Sequence, residues 1–239
     1  MLTVITSFGP EGYETYGRKF IETFREFWHP DVKLICAWEG AAPDSRLNGF
    51  DLLETESARS FLERHRTNLV IHGRKDAPPA RWAPKAKRLG YSFRHDAYKF
   101  ARKVFAIAAA AKYVSGGKLF WIDADVVTYR DVSKEFLNDL LPETISFCYL
   151  KRQNYHSELG FVGYNLHREE TRRFIELYEK QYVTDAFLND VHWDDCNQFD
   201  YLMSKLSPTE RIIIHTRPAQ PFNDSILGKY MRHNKGNRK

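Results

Sequence analysis

The sequence predicts an α/β fold in which helices flank a mostly parallel central sheet. Two observations support this prediction. Short apolar segments typical of strands alternate with longer segments of helical period, beginning with a strand–loop–helix–strand unit in residues 2–37. The chain has 239 residues, 43% of them hydrophobic, and it shows no internal repeat and no interdomain linker. It can therefore bury one sizeable core, and we expect a single domain over residues 1–239.

The elements of the first third are predicted from apolar periodicity and from the positions of Gly and Pro. Residues 2–6 are rich in β-branched side chains and lead into a Gly/Pro loop. Residues 13–28 place large apolar side chains at helical spacing, and the segment His29-Pro30-Asp31 ends that helix. A second strand is predicted at 32–37, and residues 55–65 have the pattern of a further helix.

The middle of the chain contains a long segment without helical or strand periodicity. Residues 72–90 include three prolines and two glycines, which predict a loop. A connection of this length is usually functional. The longest helical pattern follows at 92–113 and ends at Ser115-Gly116-Gly117, and residues 118–123 predict a short apolar strand that ends in acids. The remaining predicted elements are strands at 145–149, 161–164 and 211–215 and helices at 168–182 and 195–206.

The composition excludes several classes of protein. With 28% charged residues and ordinary numbers of Gly and Pro, the chain is neither disordered nor collagen-like. No apolar run reaches the roughly 18 residues of a membrane span. Cys36, Cys148 and Cys196 are odd in number and lack metal-type spacing, and the N-terminus lacks the basic region of a signal peptide. We therefore expect reduced cysteines in a cytoplasmic protein.

The net charge of +5 is unevenly distributed along the chain. Residues 72–103 contain ten Lys and Arg against two acids, and residues 228–239 contain five Lys and Arg and no acid. Two basic segments on an otherwise acidic chain indicate a place for an anion, such as the phosphate of a nucleotide, a nucleic acid or a lipid head group. The alternative is a solvated basic loop and a solvated basic tail.

Two acids directly follow the apolar strand at 118–123. Side chains at i and i+2 of an extended chain point to the same side, so Asp123 and Asp125 are expected to converge. The end of a central strand is where α/β sheets bind ligands, and carboxylate oxygens suit Mg²⁺ or Mn²⁺. The alternative is that these acids cap the following turn or pair with Arg130.

The segment 120–127 resembles the metal-binding Asp-x-Asp segment of GT-A glycosyltransferases, whose single domain is Rossmann-like. Residues 233–239 resemble the His-x-x-Gly-x-x-Lys ending of the glycogenin-like and lipopolysaccharide glycosyltransferase-like members. Four further segments resemble other parts of the family's site. Thr6-Ser7-Phe8 resembles the nucleoside contact, and residues 91–100 resemble the donor-binding helix. Residues 159–165 resemble the sugar-pocket strand, and residues 193–198 resemble the helix start that faces the transferred sugar.

The resemblance implies a role for each matching residue. A divalent cation, Mn²⁺ or Mg²⁺, would be held by Asp123, Asp125 and His233. Residues 1–130 would form the nucleotide-sugar-binding half and residues 131–239 the acceptor and sugar-binding half. The implied donor-binding residues are Thr6, Ser7, Phe8, Arg94, Asp96, Lys99, Asp123, Gly236 and Lys239, and the implied catalytic residues are Asp194, Asp195 and Gln198.

Structural roles are the alternatives at several of these positions. A histidine on a basic tail is commonly solvated, so His233 need not bind metal. Arg94 and Lys99 lie five residues apart within the predicted helix and could form a surface charge cluster. One of two adjacent acids before a helix usually serves as its N-cap, and Gln198 fits a capping box.

The resemblance implies a metal-dependent glycosyltransferase that moves a hexose from a nucleotide-sugar, with UDP-sugar as donor, to a hydroxyl acceptor. The ending resembles that of retaining members. The basic segment 72–90 favours a polyanionic acceptor, either DNA with a hydroxylated base or a phosphorylated glycan. Two other classes of protein are alternatives. A nucleotidyltransferase or metal phosphohydrolase often needs a further acid nearby, and a non-catalytic nucleic-acid-binding module would need a recognisable motif.

Overall fold

The computed structural model describes residues 1–74, 90–114, 116–214 and 220–234. The strands, in chain order, are β1 (Leu2–Phe8), β2 (Val32–Trp38), β3 (Gly49–Asp51), β4 (His72–Arg74), β5 (Tyr91–Asp96), β6 (Lys118–Ile122), β7 (Val126–Thr128), β8 (Phe147–Leu150), β9 (Glu158–Asn165), β10 (Glu210–Ile214) and β11 (Met231–His233). The main helices are α1 (Arg18–Phe27), α2 (Glu56–His65), α3 (Ala97–Tyr113), α4 (Lys134–Leu140), α5 (Glu169–Val183) and α6 (Asp195–Leu206). Shorter helical turns lie at Pro10–Gly12, Tyr13–Gly17, Leu52–Glu54, Ala186–Asn189 and Ile226–Lys229.

The central sheet is mostly parallel, as the sequence predicts. Among the described residues, seven strands form it in the order β10-β8-β9-β6-β1-β2-β3. The pairings of β1 with β2 and β6, of β2 with β3 and of β8 with β10 are parallel. Only β9 runs against its two neighbours, β6 and β8. This reversed strand borders β6, whose C-terminal end carries the paired acids.

Both faces of the sheet are covered by helices, which explains why its central strands β6 and β8 are apolar and buried along nearly their whole length. Side chains alternate between the faces, so Val4 and Phe120 enter one apolar cluster while Ile5 and Trp121 enter the other. Helices α1 and α4 pack on the first face, and helices α2, α3, α5 and α6 pack on the second. This double cover leaves the ends of the strands as the place for a site.

One predicted helix begins later than the sequence suggests. In the predicted helix 92–113, the first residues belong instead to the strand Tyr91–Asp96, which pairs antiparallel with β4. The Asp96 side chain accepts a hydrogen bond at 3.0 Å from the backbone N–H of Lys99 and so caps α3. The aromatic residues of this strand also favour extended backbone. Arg94 therefore lies on a strand rather than on the helix that carries Lys99.

A small second sheet returns the C-terminal part of the chain to the end of β6. Strand β11 pairs antiparallel with β7, so that Met231 lies opposite Thr128 and His233 opposite Val126. Since β7 begins just after the two acids, this pairing brings a residue that is distant in sequence beside them. No helix among the described residues is long and apolar enough to cross a membrane.

Candidate active site

The turn after β6 presents two carboxylates. Asp123 leaves the buried strand with its backbone N–H donating to the carbonyl of Gly160 at 3.0 Å. Its Oδ1 accepts a hydrogen bond at 2.7 Å from the indole N–H of Trp121. Asp125 follows in the turn rather than in extended backbone. The two acids nevertheless converge, because both reach the same histidine.

His233 lies between the two carboxylates and is almost fully buried. Its Nε2 is 2.9 Å from Oδ1 of Asp125 and 3.4 Å from Oδ2 of Asp123. The pairing of β11 with β7 places it there, and the backbone N–H of Asn234 extends the pairing by donating to the carbonyl of Asp125 at 3.1 Å. The structure therefore brings together the three metal ligands that the sequence predicts.

Lys103 connects these acids to the start of α6. Its Nζ lies 3.0 Å from Oδ1 of Asp123 and 2.7 Å from Oδ2 of Asp195, and it donates to the carbonyl of Leu159 at 3.1 Å. Burial alone would lower the pKa of Lys103, but attraction by the two carboxylates outweighs it and raises that pKa well above its usual value. For Asp123, attraction by Lys103 and His233 outweighs burial and lowers the pKa to about 2.

A third carboxylate lies behind His233. Glu158, the first residue of β9, is buried, and its Oε1 is 3.6 Å from Nδ1 of His233. The same oxygen accepts a hydrogen bond at 3.1 Å from the backbone N–H of Gly160. The histidine therefore has carboxylates on both edges of its ring.

The donor set fits a divalent cation. Asp123 and Asp125 supply carboxylate oxygens, and the nitrogen that His233 turns toward them suits Mn²⁺ better than Mg²⁺. Adjacent ligands of an octahedral ion with bonds of about 2.1 Å lie about 3 Å apart, close to the 2.9 Å and 3.4 Å separations seen here. Asp123, Glu158 and His233 also bring one ligand atom each to within 4.8 Å of one another. So many acids around one imidazole and one lysine favour an added positive charge.

The start of α6 holds a second acidic pair in which both members have structural partners. Asp194 is the N-cap, and its Oδ1 accepts the backbone N–H of Asn197 at 3.1 Å. Asp195 is paired with Lys103. Burial and the neighbouring charge of Asp195 raise the pKa of Asp194 to about 6. Although Asp194, Asp195 and Cys196 could together reach a metal ion, the cap and the ion pair already account for their two carboxylates.

Gln198 supports the loop before α6. It is fully buried, and its Nε2 donates to Oδ2 of Asp190 at 2.9 Å and to the carbonyl of His192 at 3.1 Å. In the capping-box alternative, this side chain would accept a hydrogen bond from the backbone N–H of the N-cap residue. Its role toward a sugar remains a prediction.

Arg94 belongs to a chain of side chains that leads away from the metal ligands. Its carbonyl accepts the N–H of Trp193 at 2.7 Å, and its guanidinium lies 3.2 Å from Nε2 of His192. Because Arg94 can only donate, His192 carries its proton on Nδ1, which lies 3.3 Å from Nε2 of His156. The chain ends where Nδ1 of His156 meets the carboxylate of Asp200 at 3.2 Å. Burial first and Arg94 second lower the pKa of His192 to about 4, consistent with its neutral form.

Comparison with solved structures identifies the fold. The chain is similar to a glycosyltransferase involved in the glycosylation of the major capsid of PBCV-1, with a TM-score of 0.52 over 99% of this chain and 94% of that one, at 13% identity. It has a glycosyltransferase fold. It is also similar to mouse xyloside xylosyltransferase 1 in its apo form, with a TM-score of 0.51, 88% and 84% coverage, and 8% identity. No protein-family model and no curated protein matches the sequence. The GT-A fold class expected from the sequence is confirmed.

Within this glycosyltransferase fold, the predicted nucleoside contacts lie at the C-terminal end of β1. Thr6 and Phe8 are buried and Ser7 is half-buried. The ring of Phe8 packs against Tyr13 with centroids 5.4 Å apart. Oγ1 of Thr6 is buried without a hydrogen-bond partner among the described residues. These positions border the acids at the end of β6, since β1 and β6 are neighbours in the sheet.

The other predicted donor contacts have mixed placements. Asp96 caps α3 and also accepts the hydroxyl of Tyr91 at 2.8 Å, so its carboxylate has structural partners. Lys99 is exposed on the first turn of α3. Gly236 and Lys239 lie outside the described residues, as do the basic positions between 75 and 89.

Sequence reasoning missed Lys103 and Glu158. No local signal marks Lys103, because it is one of several basic residues in α3 and its two carboxylate partners are distant in sequence. A feature of the sequence does mark Glu158. It is an acid that opens an otherwise apolar strand, where an ionised group needs a partner.

Proposed function

We propose that the protein is a metal-dependent glycosyltransferase that moves a hexose from a UDP-sugar to a hydroxyl acceptor. The observation that carries the proposal is the convergence of Asp123, Asp125 and His233 at the end of β6 within a glycosyltransferase fold. As an extension, residues 1–130 would bind the nucleotide-sugar and residues 131–239 the sugar and acceptor. Free cysteines at positions 36, 148 and 196 agree with a cytoplasmic location.

The chemistry of transfer would be divided between the groups on two sides of Lys103, with Asp123 on one side and Asp195 on the other. In transfer, the bond from the anomeric carbon to the diphosphate breaks and a bond to the acceptor oxygen forms. A cation held by Asp123, Asp125 and His233 would neutralise charge on the departing diphosphate. Lys103 keeps Asp123 ionised and turned toward that position, because it binds the opposite oxygen of the carboxylate.

The start of α6 would line the sugar side. Lys103 would fix Asp195 beside the reacting centre, and burial with the charge of Asp195 raises the pKa of Asp194 to about 6, within the range of a group that exchanges protons. We propose retention of anomeric configuration, with the proton of the acceptor hydroxyl passing to the departing diphosphate. This assignment rests on the resemblance of the C-terminal segment.

The acceptor is proposed to be polyanionic. The support is the charge of residues 72–90, which contain six Lys and Arg against one acid. A donor diphosphate needs only a few cations, so the excess suits DNA with a hydroxylated base or a phosphorylated glycan. A non-catalytic nucleic-acid-binding module remains the alternative of another class.

A single assay tests these proposals together. Hydrolysis and transfer are measured for a panel of nucleotide-sugars with Mn²⁺, Mg²⁺ or EDTA, using duplex DNA, a phosphorylated glycan and a neutral glycan as acceptors. We expect EDTA and Asp125→Asn each to lower turnover at least 100-fold while circular dichroism stays unchanged, since the change removes charge and not shape. Asp31→Asn is the matched control, because Asp31 is an exposed partner of Lys134 away from the site. Transfer that survives both EDTA and Asp125→Asn contradicts the metal-dependent function, and DNA binding without any turnover favours the non-catalytic module.

A further inference from the structure

We propose that Glu158 is a positioning residue that holds the proton of His233 on Nδ1 and so leaves Nε2 as the nitrogen that binds the cation. The inference rests on the proposed metal-dependent function and assigns a residue that neither the motif nor the resemblance marks. It follows from which edge of the imidazole ring faces which carboxylate.

The two ring nitrogens of His233 face different partners. Nε2 lies 2.9 Å from Asp125 and 3.4 Å from Asp123, whereas Nδ1 lies 3.6 Å from Oε1 of Glu158. A neutral imidazole carries one proton, and a metal binds the nitrogen without it. If Nε2 binds the cation, the proton is on Nδ1, and the carboxylate within ion-pair distance of that nitrogen is Glu158.

The same division argues against Glu158 as a ligand of the same ion. The two nitrogens lie on different edges of a rigid ring, so an ion bound at Nε2 is turned away from a carboxylate placed against Nδ1. The short contacts of Asp123 and Asp125 are with Nε2. Glu158 therefore acts on the metal through His233, as carboxylates commonly do when they accept a hydrogen bond from a metal-bound histidine.

The backbone fixes Glu158 in this position. It opens β9, which pairs with both β6 and β8, and Oε1 accepts the N–H of Gly160 at 3.1 Å. Glu158 and His233 are each at most 5% exposed, so neither side chain can turn to solvent without disturbing the core. Nδ1 of His233 is itself buried without a hydrogen-bond partner among the described residues, so a proton there and the carboxylate of Glu158 would compensate each other.

Gly160 makes room for this arrangement. A Cβ at this position would lie 2.7 Å from Cε1 and Nδ1 of His233 and 3.0 Å from Oε1 of Glu158. The imidazole and the carboxylate can therefore approach each other only above a residue without a side chain. This close approach gives a physical reason for glycine at a position where the backbone needs no unusual φ.

The other side of the ring is fixed as well. The backbone N–H of His233 donates to Oδ1 of Asn223 at 2.9 Å, and the ring of Phe222 lies edge-on with centroids 5.3 Å apart. With the backbone held by β7 and the ring confined by Phe222 and Gly160, the remaining variable is the site of the proton. Glu158 determines that site.

The experiment measures binding of Mn²⁺ alone to the full chain, by electron paramagnetic resonance of the free ion. The variants are Glu158→Gln, His233→Ala and the double variant, with Glu210→Gln as the matched control on another strand of the sheet. Glu210 has partners of its own, accepting the hydroxyl of Tyr149 at 2.6 Å, and it contacts none of the metal ligands among the described residues. Thermal unfolding of each variant accompanies the titration, and Glu158→Asp serves as a second variant should Glu158→Gln fail to fold.

We expect Glu158→Gln to weaken Mn²⁺ binding 10- to 100-fold, the usual cost of losing such a partner, and Glu210→Gln to leave it unchanged. Because Glu158 acts through His233, adding Glu158→Gln to His233→Ala should cause no further loss. Additive losses in the double variant would make Glu158 a direct ligand and overturn the inference. Unchanged affinity in Glu158→Gln would overturn it while leaving the proposed function intact, whereas no Mn²⁺ binding by the unaltered protein would overturn both.

Discussion

Two aspartates of the candidate site, the half-buried Asp123 and the buried Asp194, have pKa values shifted in opposite directions. Both are penalised by burial, yet the pKa of Asp123 is lowered to about 2 by Lys103 and His233. The pKa of Asp194 is raised to about 6 because its burial is reinforced by the adjacent charge of Asp195. Neighbouring charged groups, more than the degree of burial, therefore decide whether each carboxyl group is ionised. Asp123 therefore keeps a negative charge, which suits a cation, whereas Asp194 can exchange a proton near pH 6.

The largest expected effect comes from removing the group that joins the two sides. Lys103→Met would leave the buried Asp195 and the half-buried Asp123 without their shared cation. We therefore expect a loss of about 3–5 kcal/mol in the free energy of unfolding. Urea denaturation at pH 7 measures it. If Asp123 is the uncompensated group, Mn²⁺ should restore part of the loss.

Lys112→Met is the matched control for this change. It lies on the same helix and pairs with Glu179 at 3.0 Å, but its side chain is 67% exposed. Removing an exposed pair should cost less than about 1 kcal/mol. Equal losses in the two variants would mean that the central ion pair does not connect the two sides.

The convergence of Asp123, Asp125 and His233 could be predicted from sequence, whereas the contacts around the start of α6 could not, for a physical reason. Asp123 and Asp125 are two residues apart after an apolar strand, so their proximity is predicted locally, although Asp125 lies in a turn and not in the extended backbone that the rule assumes. His233 was placed by a motif, and its contact with them depends on the pairing of β11 with β7. The fold class was readable because the alternation of strands and helices is itself a local pattern.

The sugar side depends on contacts between distant segments. The sequence predicts a helix at Arg94 because the helical period of α3 extends backward into β5. No local sequence pattern predicts the pairing of β5 with β4. The partners of Arg94 and Lys103 lie on separate elements. An N-cap by one of the two adjacent acids is predicted there, since capping is again a local rule, and the structure assigns the cap to Asp194.

The second prediction tests the opposite shifts directly. Because the pKa of Asp194 is higher in the folded than in the unfolded chain, the stability it contributes is present below about pH 4 and is lost as pH rises to about 6. Asp194→Asn keeps a cap and removes the buried charge. We expect this variant to be more stable than the unaltered protein by about 2–3 kcal/mol at pH 7.5 and equally stable at pH 3.5.

Denaturant unfolding at several pH values measures this difference. If Asp194 also serves the reaction, the more stable variant should turn over more slowly, since groups tuned for catalysis often cost stability. Asp123→Asn provides the contrast. It removes a charge stabilised by Lys103 and His233, so it should lower stability at pH 7.5. A stabilising Asp123→Asn or a destabilising Asp194→Asn would break the comparison between the two sides.

The smallest expected effect separates binding of the donor from binding of the acceptor. The resemblance implies that Arg94 binds the donor, yet its contacts include His192 and Trp193, which lead into the start of α6. Its guanidinium is oriented by the chain that ends at Asp200, an arrangement that suits a planar anionic group.

We therefore expect Arg94→Gln to raise the acceptor KM about tenfold and to leave the donor KM within about twofold, a difference of about 1.4 kcal/mol. Hydrolysis of the UDP-sugar without acceptor isolates the donor KM, and Arg94→Lys, which keeps the charge but loses the fork, should resemble Arg94→Gln. A tenfold rise in the donor KM for hydrolysis would instead show that Arg94 binds the donor. The donor would then be bound from both the start of α6 and the end of β6.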